Sequence, residues 1–305
     1  MIQKAISWLG IFFLSALSLL PLSILYVLAD IFYIVIYHIF GYRRKVVRGN
    51  LMNAFPKKSM VEINSIEKKY YKFLSSLIFE VIKMKSISKT QLQKRVKFKN
   101  VDLVEAYLQN NESVLFCSSH YGNYEWVCMA IGLTFSGAHY PIYKPLSSEV
   151  FDNWFFNMRC RFGNRMVAMR QTLRAIQSSK GTANMFTFGS DQAPSKDESN
   201  YWTTFLNQEA SIQLGIEKIA KKTNRPVFYL KISYLKRGYY EVDCVPICLH
   251  PKETAEFEIT EMHTHFLEEM IKEQPAYWLW SHRRWKHKQD RKTVESSSDN
   301  DKIPA

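Results

Sequence analysis

The sequence predicts an α/β fold: a central mixed sheet flanked by helices, behind an apolar helical segment at the N-terminus. Three observations predict it. Between residues 96 and 273, short apolar runs of strand length alternate with stretches of helical periodicity, as in layered α/β proteins. Two β-rich runs, 227–235 and 239–245, flank Lys236-Arg237-Gly238, a hairpin signal. Residues 61–85 place Ile63, Tyr70, Phe73, Leu74, Leu77 and Val81 at helical spacing, with Lys68, Lys69 and Lys72 on the other side. The chain has 305 residues, enough for one large α/β domain or two small ones.

Residues 5–40 are almost wholly apolar, with Asp30 as the sole formal charge. The stretch is too long for a signal peptide and carries no small-residue cleavage site. Pro21 interrupts it and suits the first turn of a second helix over 22–40. Two readings stand: a membrane anchor, either spanning with a kink or lying in the interface, and a buried hairpin of a soluble core. The basic cluster that follows favours the anchor, placing it at 1–40 and the folded domain at 41–288. Residues 96–99 alternate like a strand, and 101–110 read as a helix ended by Asn110-Asn111. Val114 to Cys117 is a buried strand; 123–135 is helical, 137–143 a strand and 149–162 a helix with Val150, Trp154, Phe155 and Met158 on one side. A helix over 170–179 is closed by Gly181, a strand follows over 183–188, and Asp191 lies just past its end. Residues 212–223 and 256–273 are helical. The acidic, serine-rich stretch within 289–305 predicts disorder.

The turn between the strand at 114–117 and the helix after it carries His120-Tyr121-Gly122-Asn123-Tyr124-Glu125, with Gly122 as its flexible point. On a continuous helix residues five apart diverge by about 140°. A helix starting near Asn123 instead lets Glu125, in its first turn, converge on His120. A carboxylate on one ring nitrogen fixes the tautomer and leaves the other nitrogen as a base. The alternative is a loop histidine beside an acid that favours the helix N-terminus.

Net charge is +13, and its placement is informative: residues 41–99 hold 16 lysines and arginines against Glu62, Glu67 and Glu80, while the remainder balances. A basic run directly after an apolar segment fits a surface against anionic lipid. Nucleic acid also satisfies the charge, but it leaves the apolar segment unexplained and the chain has no nucleic-acid-fold signature. The five cysteines are odd in number with no Cys-x-x-Cys, which fits a reducing compartment, and no His/Cys set has zinc spacing.

His120-Tyr121-Gly122-Asn123-Tyr124-Glu125 resembles the His-x4-Asp/Glu box of glycerolipid-type acyltransferases, in particular the lauroyl/myristoyl-type late acyltransferases of lipid A biosynthesis. Four further segments resemble that family in the same order. They are Arg48-Gly49-Asn50-Leu51 with Phe55-Pro56, Tyr143-Lys144-Pro145-Leu146 with Arg159 to Arg165, Asp191-Gln192-Ala193-Pro194, and Trp278 to Lys286. The likeness covers residues 1–288. It implies a glycerolipid-acyltransferase-like fold and an O-acyltransferase using an acyl carrier protein or acyl coenzyme A thioester, with no other cofactor and no metal. The acceptor it implies is a hydroxyl of a lipid A precursor, a phosphoglycolipid. The implied place is the cytoplasmic face of a bacterial inner membrane, with acyl carrier protein as partner and no nucleic acid.

The resemblance implies His120 and Glu125 as the catalytic pair, with His120 as base. It places Arg159, Arg161, Asp191 and Asn123 as oxyanion or substrate-binding candidates, one of the two arginines being functional. Backbone amides near Gly122 are an alternative oxyanion site. Arg283 and Arg284 suit phosphate through their planar donor forks, against a reading in which they edge a buried aromatic segment. The chain departs from the family pattern at Lys218, commonly arginine, at Tyr124, commonly tryptophan, and in the glycine-poor loop 195–199. These bear on acceptor and chain length rather than on acyl chemistry. Two other readings are an acyltransferase for another envelope lipid, such as an aminolipid or lysophospholipid, and a non-catalytic basic module on membrane or nucleic acid.

Overall fold

The computed structural model describes residues 2–195, 199 and 201–288. The stretch 289–305, expected to be disordered, lies outside them. The chain opens with α1 (Ile2–Ser18) and α2 (Leu22–Tyr33), which runs on into a π-helical turn at Ile34–Ile39; Pro21 stands at the N-cap of α2, as its φ of −55° allows. Helices α3 (Arg44–Ala54) and α4 (Met60–Lys83) follow, the latter begun by a Ser59/Glu62 capping box. After α5 (Lys89–Arg95) come β1 (Val96–Lys99), α6 (Asp102–Gln109), β2 (Val114–Ser118), α7 (Tyr124–Thr134), β3 (Ala138–Tyr143) and α8 (Glu149–Arg159). The chain continues through β4 (Val167–Ala168), α9 (Thr172–Ser178), β5 (Asn184–Gly189), β6 (Trp202–Phe205) and β7 (Gln208–Ser211). It ends with α10 (Gly215–Thr223), β8 (Val227–Lys236), β9 (Tyr239–Cys248) and α11 (Glu258–Glu273).

Seven strands form one mixed sheet in the order β1-β9-β8-β2-β5-β3-β4, parallel throughout except for the β8–β9 hairpin. The central strand β2 is buried at every position, as its apolar run requires. The separate β6–β7 hairpin lacks the usual Asn-Gly signal. Leu206 and Asn207 form its two-residue turn, both with positive φ (50° and 60°). Burial holds Leu206 there: it is fully enclosed, and its N–H donates to Glu268.

α2 runs antiparallel along α4. Contacts mark this course, from the Tyr26 hydroxyl on Glu80 (3.0 Å) to the ring of Tyr37, in the π-helical turn, against Tyr71. Lys83, at the end of α4, donates to the carbonyls of Ser18 and Leu20 and so closes the end of α1. The segment 43–50 holds the C-terminal segment. Arg48 forks onto Glu67 (2.8 and 3.0 Å), while Asn50 donates to the carbonyls of Trp280 (2.9 Å) and His282 (3.0 Å). Two of the sequence segments singled out above are thereby in contact.

Candidate active site

β2 and β5 are neighbouring parallel strands, and Ser118 stands opposite Gly189. His120 and Asp191 each follow their strand's last residue by two, so the register brings both to one edge of the sheet, where open α/β sheets carry their sites. Asp191 Oδ1 lies 2.7 Å from His120 Nδ1; its Oδ2 accepts the backbone N–H of His120 (3.0 Å) and the indole N–H of Trp278 (2.9 Å). Burial alone would raise the Asp191 carboxyl, but the facing imidazole and these donors hold it down at about 2. An ionised carboxylate only accepts, so Nδ1 carries a proton, and in the neutral imidazole Nε2 presents its lone pair. The Gln192 amide nitrogen sits 3.1 Å from Nε2. Burial works against charge on His120, yet the Asp191 carboxylate outweighs it, and the imidazole pKa lies above its ordinary 6.5.

Glu125 is therefore not the carboxylate that holds His120. Asn123 caps α7 by accepting the Trp126 N–H (2.9 Å), so the helix starts at Tyr124 and Glu125 faces α8 instead of the turn. There Arg159 takes it in a two-pronged pair, Nε to Oε2 at 2.8 Å and Nη2 to Oε1 at 2.5 Å. Burial opposes the Arg159 charge and Glu125 overrides it, leaving the guanidinium pKa above its usual value. The pair still acts on His120 through space, Glu125 raising and Arg159 lowering its affinity for a proton.

Other expected site residues are committed elsewhere. Asn123 is fully buried. Its oxygen caps α7 and its amide donates to Glu80 (2.7 Å), which leaves no free polar atom for a substrate. Arg161 donates to the carbonyls of Met84 and Ile87 (2.9 Å to the latter), closing the end of α4. The Gly122 amide is taken by the carbonyl of Tyr277 (2.9 Å), so it is not an open oxyanion donor. Arg284 is 2% exposed, with its guanidinium on the Ser211 carbonyl (2.8 Å) and over the Phe205 ring; burial lowers its pKa to about 10. It is placed in the interior rather than at a surface where phosphate binds. Arg283 is exposed.

Three contributors went unassigned from sequence: Trp278, Gln192 and Glu80. Residues 277–279 pair with the His120 turn. Tyr121 bridges Trp278, Gly122 donates to Tyr277, and Leu279 donates to the His120 carbonyl (3.1 Å). Gly122 has φ +58°, and a Cβ there would meet Ile232 Cγ2 at 2.7 Å, so the turn needs glycine on two counts. Glu80, wholly buried, gathers Tyr26, Tyr240 (2.7 Å) and Asn123 behind the turn; burial raises its pKa despite these donors. The motifs quoted above already held Trp278 and Gln192; only the strand order shows what they touch.

Beside this centre runs an apolar groove of about 520 Å³. Phe32, Ile36, Phe40, Leu74, Ile78 and Leu279 supply its apolar lining, and Tyr42, Arg43, Ser281 and His282 its polar lining. Burial lowers the His282 pKa to about 4, with Asp191 and His120 close enough to act on it. The groove thus meets the centre at Leu279 and His282. An imidazole held in one orientation, a half-buried cation beside it and an apolar groove of ligand size are the parts of an acyl-transfer site.

Comparison with known proteins agrees with that chemistry. The family model for bacterial lipid A biosynthesis acyltransferases matches residues 1–287. The chain is also 23% identical over 278 residues to the lipid A biosynthesis acyltransferase of Haemophilus influenzae, covering 90% of this chain and 85% of that protein.

Proposed function

This chain belongs to the bacterial lipid A biosynthesis acyltransferase family, and from that premise we propose that it moves a fatty acyl chain from a thioester to a hydroxyl of a lipid A precursor at a membrane surface. The donor is acyl carrier protein or acyl coenzyme A, and the membrane is the cytoplasmic face of the inner membrane. The observation that carries the proposal is the His120–Asp191 pair, which leaves Nε2 as the base nitrogen of the neutral imidazole, beside the apolar groove. An alcohol is a poor nucleophile at neutral pH. His120 Nε2 takes its proton as the oxygen attacks the thioester carbonyl; the C–O bond forms, the C–S bond breaks, and the imidazolium returns the proton to the leaving sulfur. Asp191 holds the tautomer and stabilises the imidazolium. Arg159, kept charged by Glu125, supports the negative charge that develops on the carbonyl oxygen. The groove takes a hydrocarbon chain, and its volume lies within the ~300–1,000 Å³ range of small-molecule sites.

The test is acyl transfer by the purified chain in phospholipid vesicles, with labelled acyl carrier protein or acyl coenzyme A and a lipid A precursor. Label reaches the glycolipid with the parent chain, and His120→Ala lowers the rate by roughly 10²- to 10⁴-fold. Normal transfer by His120→Ala removes the mechanism. Lipid A of unchanged mass in a deletion strain, together with an altered aminolipid, moves the acceptor to that lipid.

A further inference from the structure

We propose that the N-terminal helices lie in the plane of the membrane interface, embedded by one face, and do not cross the bilayer. The inference rests on the membrane-acting reading above and adds its geometry. Length does not decide the matter. The apolar stretch Leu22–Ile39 has 18 residues, about 27 Å at 1.5 Å per residue, close to a ~30 Å hydrocarbon core. What decides is the other face of that helix. It is fastened to the folded domain along its whole length, by Tyr26 on Glu80, by Asp30 on Arg237 (2.8 and 2.9 Å), by the Tyr33 ring under Lys72, and by Tyr37 against Tyr71. A helix perpendicular to the bilayer would carry α4 and the β8–β9 turn into hydrocarbon with it. Asp30, whose side chain is 65% exposed, would stand near the midplane, and the exposed Lys72 would follow.

Laid flat, the same residues have suitable surroundings. Ile24, Val27, Ile31 and Ile34 form an exposed stripe at spacings of three and four on α2, away from the buried Leu22, Leu25 and Ala29. On α1, Trp8, Phe12 and Phe13 are each more than 60% exposed, while Ile11 is buried. Asp30–Arg237 and Lys72 flank the stripe at headgroup level. The basic excess of residues 41–99 begins just past the π-helical turn with Arg43, which also borders the groove. Apolar stripe and cations together specify one occupant, a bilayer leaflet containing anionic lipid. The groove between α2 and α4 then opens at acyl depth, so a lipid tail enters sideways without leaving its leaflet.

Spin labels on cysteines introduced singly at Phe13, Val27, Ile31 and Ile34 test this in vesicles with about a quarter anionic lipid, the parent chain giving the background from native thiols. Depth measured by oxygen and nickel relaxation should place all four within ~5–10 Å of the headgroup boundary. Val27→Glu with Ile31→Glu should weaken vesicle binding at least tenfold while leaving the thermal midpoint in detergent unchanged. Depths that progress through the core to its far side overturn the in-plane placement but leave the acyl-transfer reading standing. No vesicle binding by the parent chain, or labels shielded in a lipid-free oligomer, overturns both the placement and the membrane-acting reading.

Discussion

Asp191→Asn tests the candidate site most directly, because it removes a charge and almost no volume. Asp191 Oδ2 accepts two donors, the His120 backbone amide and the Trp278 indole, while Oδ1 accepts one, the imidazole Nδ1–H. An asparagine offers one oxygen and one NH₂. With the oxygen toward the amide and the indole, the NH₂ faces Nδ1, which must then lose its proton; the imidazole switches to the Nε2–H tautomer, and the base nitrogen is blocked. With the amide reversed, the NH₂ opposes two fixed donors, each buried donor left unpaired costing about 1–3 kcal/mol. The first arrangement wins, so the variant folds with the wrong tautomer. Its kcat should fall about 10³-fold, inside the range for loss of a positioned base and equal to about 4 kcal/mol of barrier. KM for the acyl donor should move little, since no groove contact is touched. The assay is vesicle acyl transfer under saturating donor, with circular dichroism to confirm folding. A folded Asp191→Asn enzyme within threefold of the parent kcat would refute the reasoning and return the orienting role to Glu125.

Other outcomes follow from the same contacts. The His120 pKa is raised, so the acid limb of kcat/KM should inflect above 6.5, with activity lost as the imidazole protonates below it; residual activity of Asp191→Asn should inflect lower. Asp191 itself, held at about 2 against an ordinary 3.8, stabilises the fold above pH 4 by about 2 kcal/mol, and acid titration should show that contribution lost as pH falls toward 2. Arg161→Ala should cost about 1–3 kcal/mol in urea unfolding and leave turnover per folded molecule unchanged. Arg159→Ala, which strands a buried Glu125, should cost about 3–5 kcal/mol, and the double variant with Glu125→Ala less than the sum of the two. Gly122→Ala should lose at least ~2 kcal/mol and most activity, since positive φ and Ile232 both oppose a Cβ.

Much of this was legible in the sequence. The alternating α/β pattern, the 236–238 hairpin and the helices over 61–85 and 123–135 follow from periodicity and turn residues, and all appear in the fold. His120 and Asp191 were both singled out, yet not as partners. Their meeting depends on β2 lying beside β5, and strand order is a property of the sheet that no local spacing encodes. Nearness in sequence pairs Glu125 with His120, whereas the Asn123 cap rotates it toward α8. Asn123, Arg161 and Arg284 have the chemistry of binding residues, and only their burial and partners reveal that a helix cap, a helix end and the interior have claimed them. The β6–β7 hairpin escaped notice because Leu206 adopts a conformation that local propensity disfavours and tertiary enclosure imposes.

The clasp between residues 277–279 and the His120 turn has a bearing on biosynthesis. The His120 backbone carbonyl and the Gly122 amide bond to a strip made more than 150 residues later, and the Asp191 carboxylate to the same strip 87 residues after it. On the ribosome, the apolar helices and His120 emerge well before the strip that braces the His120 turn. A polypeptide released early, anywhere short of Leu279, lacks the strip that completes the centre. An incomplete translation product therefore carries His120 and Asp191 without the contacts that fix them.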